Sequence, residues 1–176
     1  VHCDYFPDLS MRCRAKLIRQ LRELLENPYV SFVGHHLKFD IHMMRSDLNI
    51  EVANWLHDTM QLAFAADDNM ERKGLDECVR RYLPDRAGYA DEFNANTDKS
   101  RMIDVPIRDM VRYAGGDSDA TFMLCKVLVR LVRRDERQWN CYKTVQMPSL
   151  RSFVGMEKHG VKVNTQALIE LEADLA

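Results

Sequence analysis

Tyr113 and Asp117 lie four positions apart. On an unbroken helix that spacing turns a phenol and a carboxylate to one face, while Asp119 points elsewhere. A pair of this kind suits a site for a metal ion and a water molecule. Taken alone it is a weak signal, because Tyr at i and Asp at i+4 on a helix is ordinarily a surface or core-edge pair. The sharper observation is its combination with a second segment. Gly34-His35-His36-Leu37-Lys38-Phe39-Asp40 comes early in the chain, and Arg112-Tyr113-Ala114-Gly115-Gly116-Asp117-Ser118-Asp119-Ala120-Thr121 follows much later. His35, His36 and His42 raise the question of zinc, but adjacent histidines cannot share one helical face and no cysteine spacing supports them.

These residues need elements to carry them. Residues 29–33 are β-branched and aromatic and predict a buried strand, ended by Gly34. Residues 37–47 predict a helix with Leu37, Ile41, Met44 and Leu48 on one face, so the chain turns from strand to helix within Gly34-His35-His36 and Asp40 falls in the first turn or so. Before them, residues 10–26 predict an amphipathic helix whose Arg12, Arg14, Lys16, Arg19 and Arg22 make a solvated basic face. After them, Trp55-Leu56-His57 predicts another short strand, and Asp58, with Gln61 three residues on, predicts a capped helix over 59–66.

Residues 67–74 read as a loop, 75–83 as a short helix and 84–101 as a long polar loop. From Pro106 the apolar residues Ile107, Met110, Val111 and Ala114 keep helical spacing, break at Gly115-Gly116 and resume as Ala120, Leu124, Val127, Leu128 and Leu131. Two helices are therefore expected to meet at the glycine pair, with Asp117 near the start of the second. The stripe of Met110, Met123, Leu124 and Leu128 is core, and Lys126, Arg130, Arg133, Arg134 and Arg137 form a solvated basic end. Pro148 is expected to open a helix over 149–159, Gly160 to cap it, 161–163 to be extended and Asn164 to cap a final helix.

Composition bounds what such a chain can be. With 176 residues, 46% hydrophobic and 30% charged, it is one domain or one domain plus a piece of another, and disorder and collagen are excluded. Twenty-five Lys and Arg against 27 Asp and Glu give a net charge of −2. A uniformly basic nucleic-acid binder is excluded, so any such contact is local or metal-mediated. No run nears the roughly 18 apolar residues of a membrane span, and no signal peptide is evident, so a soluble chain is expected. Cys3, Cys13, Cys78, Cys125 and Cys141 are odd in number, scattered and never spaced C-x-x-C, as expected of reduced thiols. Position 1 is Val and residues 168–176 stop inside a helical pattern, which predicts a fragment.

The two segments together resemble the 3′ to 5′ proofreading exonuclease domain of family A DNA polymerases, the bacterial polymerase I type and its bacteriophage relatives. The first is similar to the family pattern G-x-N-x-K-[FY]-D, with Lys38-Phe39-Asp40 in place, and the second to Y-A-x-x-D-[AS]-D-x-T, through Tyr113 and Asp117. His57-Asp58-Thr59-Met60 is similar to the D-T-M that opens a helix in the family. Met147-Pro148, Met156-Glu157 and Gly160-Val161-Lys162-Val163-Asn164 resemble its transition into the polymerase domain. Two departures stand out: His36 replaces the usual Asn, and Gly116 replaces an acidic or polar residue and should loosen the helix there by up to about 1 kcal/mol.

The resemblance implies an α/β, RNase H-like fold lacking its first strands. It implies an exonuclease domain over 1–143 and the beginning of a polymerase domain over 144–176. It also implies two Mg²⁺ or Mn²⁺ ions hydrolysing the terminal phosphodiester at a single-stranded 3′ end of DNA, in a bacterial or phage-infected cytoplasm. Asp40 and Asp117 would be metal ligands, Tyr113 would orient the attacking water, and His36 and Lys38 would contact substrate. Such chemistry asks for several carboxylates from different elements, because two cations about 4 Å apart must be offset. The family's remaining ligands come from a D-x-E motif, and no Asp in this chain is followed two residues later by Glu. Truncation before that motif, with little activity in the chain as given, is the expectation. Two other readings compete: a free-standing RNase D-type exonuclease, which the segment 147–164 argues against, and a degenerate domain that positions DNA without cutting it.

Overall fold

The computed structural model describes residues 10–175; Cys3 and the stretch 1–9, which resembles a segment downstream of the family's D-x-E motif, lie outside them. The elements run α1 (Met11–Leu25), β1 (Phe32–Gly34), α2 (Leu37–Leu48), β2 (Trp55–Asp58), α3 (Thr59–Ala66), α4 (Leu75–Tyr82), α5 (Gly88–Asn96), α6 (Ile107–Val132), α7 (Glu136–Cys141), α8 (Met147–His159) and α9 (Thr165–Leu175). The result is an α-rich fold around a small sheet. β1 and β2 pair in parallel, with Phe32 opposite Trp55 and Gly34 opposite Asp58, so β1, α2 and β2 form one crossover unit.

Local chemistry explains where the elements begin. Ser10 caps α1 by accepting from the Cys13 amide at 3.3 Å. The strand predicted over 29–33 is displaced to Phe32–Gly34. The Asn27 side chain accepts from the Tyr29 amide at 2.9 Å and the Asn27 carbonyl from the Val30 amide at 3.1 Å, which holds the first part in a turn. Asp58 caps α3 as expected, accepting from the amides of Met60 and Gln61. Gly160 ends α8 at a φ of 71°, a conformation that favours glycine. Asn164 accepts from the Ala167 amide at the start of α9.

Three expectations are corrected. The stretch 84–101 is not a loop: it holds a 3₁₀ turn at Pro84–Arg86, α5, and the first part of a second 3₁₀ stretch, Lys99–Asp104. Its composition is polar, but Ala90 and Phe93 are buried and tertiary packing overrides weak propensity. The helices expected to meet at Gly115-Gly116 are one continuous helix, α6, because the buried face from Ala120 to Val132 anchors it downstream and α5 packs against it upstream. The helix expected after Pro148 is present and ends at His159, but it has no free start. Pro148 lies within the first turn of α8, which continues from α7 through a π-helical turn at Tyr142–Gln146. Proline cannot donate to the carbonyl four residues back and crowds it, and a widened turn just before relieves both.

The main core lies between α3, α4, α6 and the π turn, where Leu62, Cys78, Leu124, Leu128, Val132 and Tyr142 are fully buried. It fixes the C-terminal half of α6 and leaves the half bearing Tyr113 to be positioned by α5. Met110 and Met123, expected in the same stripe, are half-buried. A smaller cluster joins Leu37 and Ile41 of α2 to Val154 of α8. Among the described residues Cys13, Cys78, Cys125 and Cys141 are free thiols, and burial pushes those of Cys78 and Cys125 up to about 11. No helix of the described residues is long and apolar enough to cross a membrane.

Candidate active site

Asp40 stands in the first turn of α2, and a buried carboxylate places that turn. His36, just before the helix, has a φ of 60° and makes no side-chain cap. Asp58, at the end of β2, supplies the cap instead. Its Oδ1 accepts from the His36 amide at 3.3 Å and its Oδ2 from the Leu37 amide at 2.8 Å, while Oδ1 also takes the amides of Met60 at 2.8 Å and Gln61 at 3.3 Å. One side chain therefore caps α2 and α3 together. The left-handed geometry at His36 is the one that asparagine tolerates well, a backbone reason for the Asn of the family pattern.

Partial removal of its carboxyl from water, and then the nearby Asp58 charge, raise the pKa of Asp40 above the ordinary carboxylate value, while His36 pulls the other way. A carboxylate among such neighbours is short of positive charge. Lys38 points to Glu157 of α8 at 2.6 Å, and Nε2 of His42 meets the other oxygen of Glu157 at 2.8 Å. The ring nitrogens of His35 meet Thr59 Oγ1 at 2.8 Å and the Lys73 carbonyl at 3.0 Å. His35 and His42, two of the histidines considered for zinc, thus have separate partners.

Tyr113 and Asp117 share one face of α6, as the spacing predicts for an unbroken helix, but Asp117 is mid-helix rather than near a start. Tyr113 lies one turn from Asp117, and burial followed by the Asp117 charge pushes its phenol up to about 12, so it remains protonated at neutral pH. Its ring stacks on Phe93 of α5 with centroids 4.0 Å apart. Tyr89, also on α5, donates its hydroxyl to Asp117 Oδ1 at 2.8 Å. Burial and the Asp117 charge raise the Tyr89 phenol as well. Sequence reasoning missed Tyr89 and Phe93 because they fall in the stretch read as a loop. The signal available was Gly116, whose departure from the family pattern leaves room for the Tyr89 ring.

A cavity of about 620 Å³ opens beside this cluster, lined by Tyr89, Phe93, Tyr113, Arg101 and Arg112 among others. The predicted site residues thus form two groups. Asp40, His36 and Lys38 gather at the β1–α2 junction, and Tyr113 and Asp117 on α6. The charges acting on Asp40 are those of Asp58 and His36, whereas Asp117 acts on Tyr89 and Tyr113. Hard oxygen donors such as these suit Mg²⁺ or Mn²⁺ in kind. In number they fall short of a metal cage: among the described residues no three His, Cys, Asp or Glu side chains are grouped to hold a metal ion.

Comparison with known proteins gives this geometry a context. The phage SP01 DNA polymerase of Bacillus is 27% identical over 156 residues, covering 86% of this chain and 17% of its own length. The phage T5 DNA polymerase of Escherichia is 26% identical over 171 residues, covering 88% and 20%. DNA polymerase I of Treponema pallidum is 28% identical over 156 residues, covering 88% and 15%. The chain thus spans a fifth or less of these relatives. No solved structure matches it. The 3′-5′ exonuclease family of family A DNA polymerases matches residues 2–133, three quarters of the sequence, and the chain belongs to that family.

Proposed function

We propose that this chain is the proofreading exonuclease part of a DNA-directed DNA polymerase, removing nucleotides from a single-stranded 3′ end. On this reading the fold is RNase H-like, residues 1–143 belong to the exonuclease domain, and 144–176 begin the polymerase domain. Asp40 and Asp117 would hold Mg²⁺ or Mn²⁺, which would lower the pKa of a bound water and offset charge on the phosphate. The observation that carries the proposal is Tyr113 and Asp117 on one face of α6, a phenol one turn from a carboxylate in the family's order and spacing. That arrangement supports Tyr113 as the group that holds a water at the carboxylate. The adjoining cavity offers aromatic rings on which bases can stack, while its arginines, Arg101 and Arg112, are paired with Asp104 and Glu92.

The test is digestion of a 5′-labelled single strand by the protein expressed from its full reading frame, with millimolar Mg²⁺ or Mn²⁺. Metal-dependent shortening from the 3′ end that disappears in Asp117→Asn supports the proposal. A purified, folded protein that binds the strand without shortening it favours the DNA-positioning module instead.

A further inference from the structure

We infer that Tyr89 is a positioning residue for Asp117, and that Gly116 is glycine so that the ring of Tyr89 can reach it. The inference rests on the proposed role of Asp117 and adds a residue to that site. Three observations converge. The hydroxyl of Tyr89 donates to Asp117 Oδ1 at 2.8 Å. A Cβ at Gly116 would lie 2.5 Å from Cδ2 and 2.8 Å from Cε2 of Tyr89, a separation that real side chains do not tolerate, so the ring lies directly on the bare backbone of α6. The same ring faces Tyr113, with centroids 6.2 Å apart, and Tyr113 is itself stacked on Phe93. The phenol of Tyr89 therefore holds the carboxylate from one helix, and Tyr113 stands beside it on the other.

A carboxylate has about four lone-pair sites, so the phenolic donor of Tyr89 biases its orientation and leaves capacity for a cation. Hydrogen bonds of this kind hold a ligand in the geometry the metal requires, and losing one typically weakens metal affinity by about 10- to 100-fold. The helix that brings Tyr89 is anchored independently of the site. Arg80 of α4 pairs with Asp91 at 2.5 Å, and Arg112 of α6 with Glu92 at 3.3 Å. Tyr89 is thus presented by a frame that does not itself depend on the metal.

Titration with Mn²⁺ alone, followed by the electron paramagnetic resonance signal of the free ion, tests the inference on the protein from its full reading frame. Tyr89→Phe keeps the ring and removes the donor. It should lower Mn²⁺ affinity about tenfold while moving Tm by no more than about 4 °C. Gly116→Ala should displace the ring and lower affinity to a similar extent, and the double variant should be no worse than either single one. Unchanged Mn²⁺ affinity in Tyr89→Phe, where Asp117→Asn does weaken binding, overturns the role of Tyr89 and leaves the proposed function standing. Unchanged affinity in Asp117→Asn overturns the metal role of Asp117 and the inference with it. Wild-type affinity in Gly116→Ala overturns the part assigned to the glycine.

Discussion

The β1–α2 junction and the α5–α6 face each hold one of the two acidic residues, but by different means. At the junction a buried carboxylate, Asp58, grips four backbone amides, so the position of Asp40 is set by the main chain. On the α5–α6 face a side chain holds a side chain: Tyr89 holds Asp117, on a helix that would exist without it. Damage to what holds Asp40 should therefore appear as lost stability, and damage to what holds Asp117 as lost function in a folded protein.

The largest effect expected is from Asp58→Ala. Four amides lose their acceptor: that of Leu37 is buried, where an unsatisfied donor costs about 1–3 kcal/mol, and the part-buried other three lose a helix cap, typically worth about 1 kcal/mol. Denaturant unfolding should find this variant destabilised by about 2–4 kcal/mol; a loss under about 1 kcal/mol would show that the double cap is not what holds the junction. Next come Asp40→Ala and Asp117→Ala, which should abolish metal-dependent digestion of a single strand by the protein from its full reading frame while circular dichroism stays unchanged. A wild-type rate in either ends the two-carboxylate reading. Tyr113→Phe should slow digestion by about 10- to 100-fold, as expected of a supporting group.

Acidification should separate the two regions more gently. His57 of β2 has its pKa lowered below 6.5 by burial, then by the charges of Arg133 and Lys143. The folded state thus resists taking up the proton. The penalty is absent above pH 6.5 and grows as pH falls from there through the folded-state value. Thermal melting against pH should show stability declining over this range, with a shallower slope in His57→Asn. An unchanged slope would remove His57 from the account. The smallest effect expected is at Gly115, whose Cβ would meet nothing within 4 Å, unlike that of its neighbour. Gly115→Ala should raise stability by about 0.5–1 kcal/mol, seen as a small rise in Tm.

What the sequence disclosed follows the same division. The junction was legible because strand, turn and amphipathic helix are local patterns, and Asp58 announced itself as a cap of α3. Its second task, capping α2, was hidden because those amides come from a segment 21 and 22 residues earlier. Tyr113 and Asp117 were legible from spacing. Continuity through Gly115-Gly116 was not, because the local cost of two glycines is visible in sequence while the packing that offsets it is not. α5 was missed for the same reason: its Asn94 and Asn96 read as loop residues, yet Asn94 reaches Asp76 of α4 at 3.3 Å. Helices held by tertiary contacts leave a faint periodic trace.

The π turn at Tyr142–Gln146 makes the C-terminal part of the molecule sensitive to length rather than to composition. α7, the π turn and α8 form one unbroken helical rod. In a helix of 3.6 residues per turn, one residue more or fewer rotates everything downstream by about 100°. Glu157 faces Lys38 and His42 only in the phase that this wide turn sets. Substitutions along the rod can be absorbed locally. A single-residue deletion between Tyr142 and Gln146 would act as a phase shift, carrying Glu157 off α2 and replacing the apolar contact of Val154 with a different face of the rod.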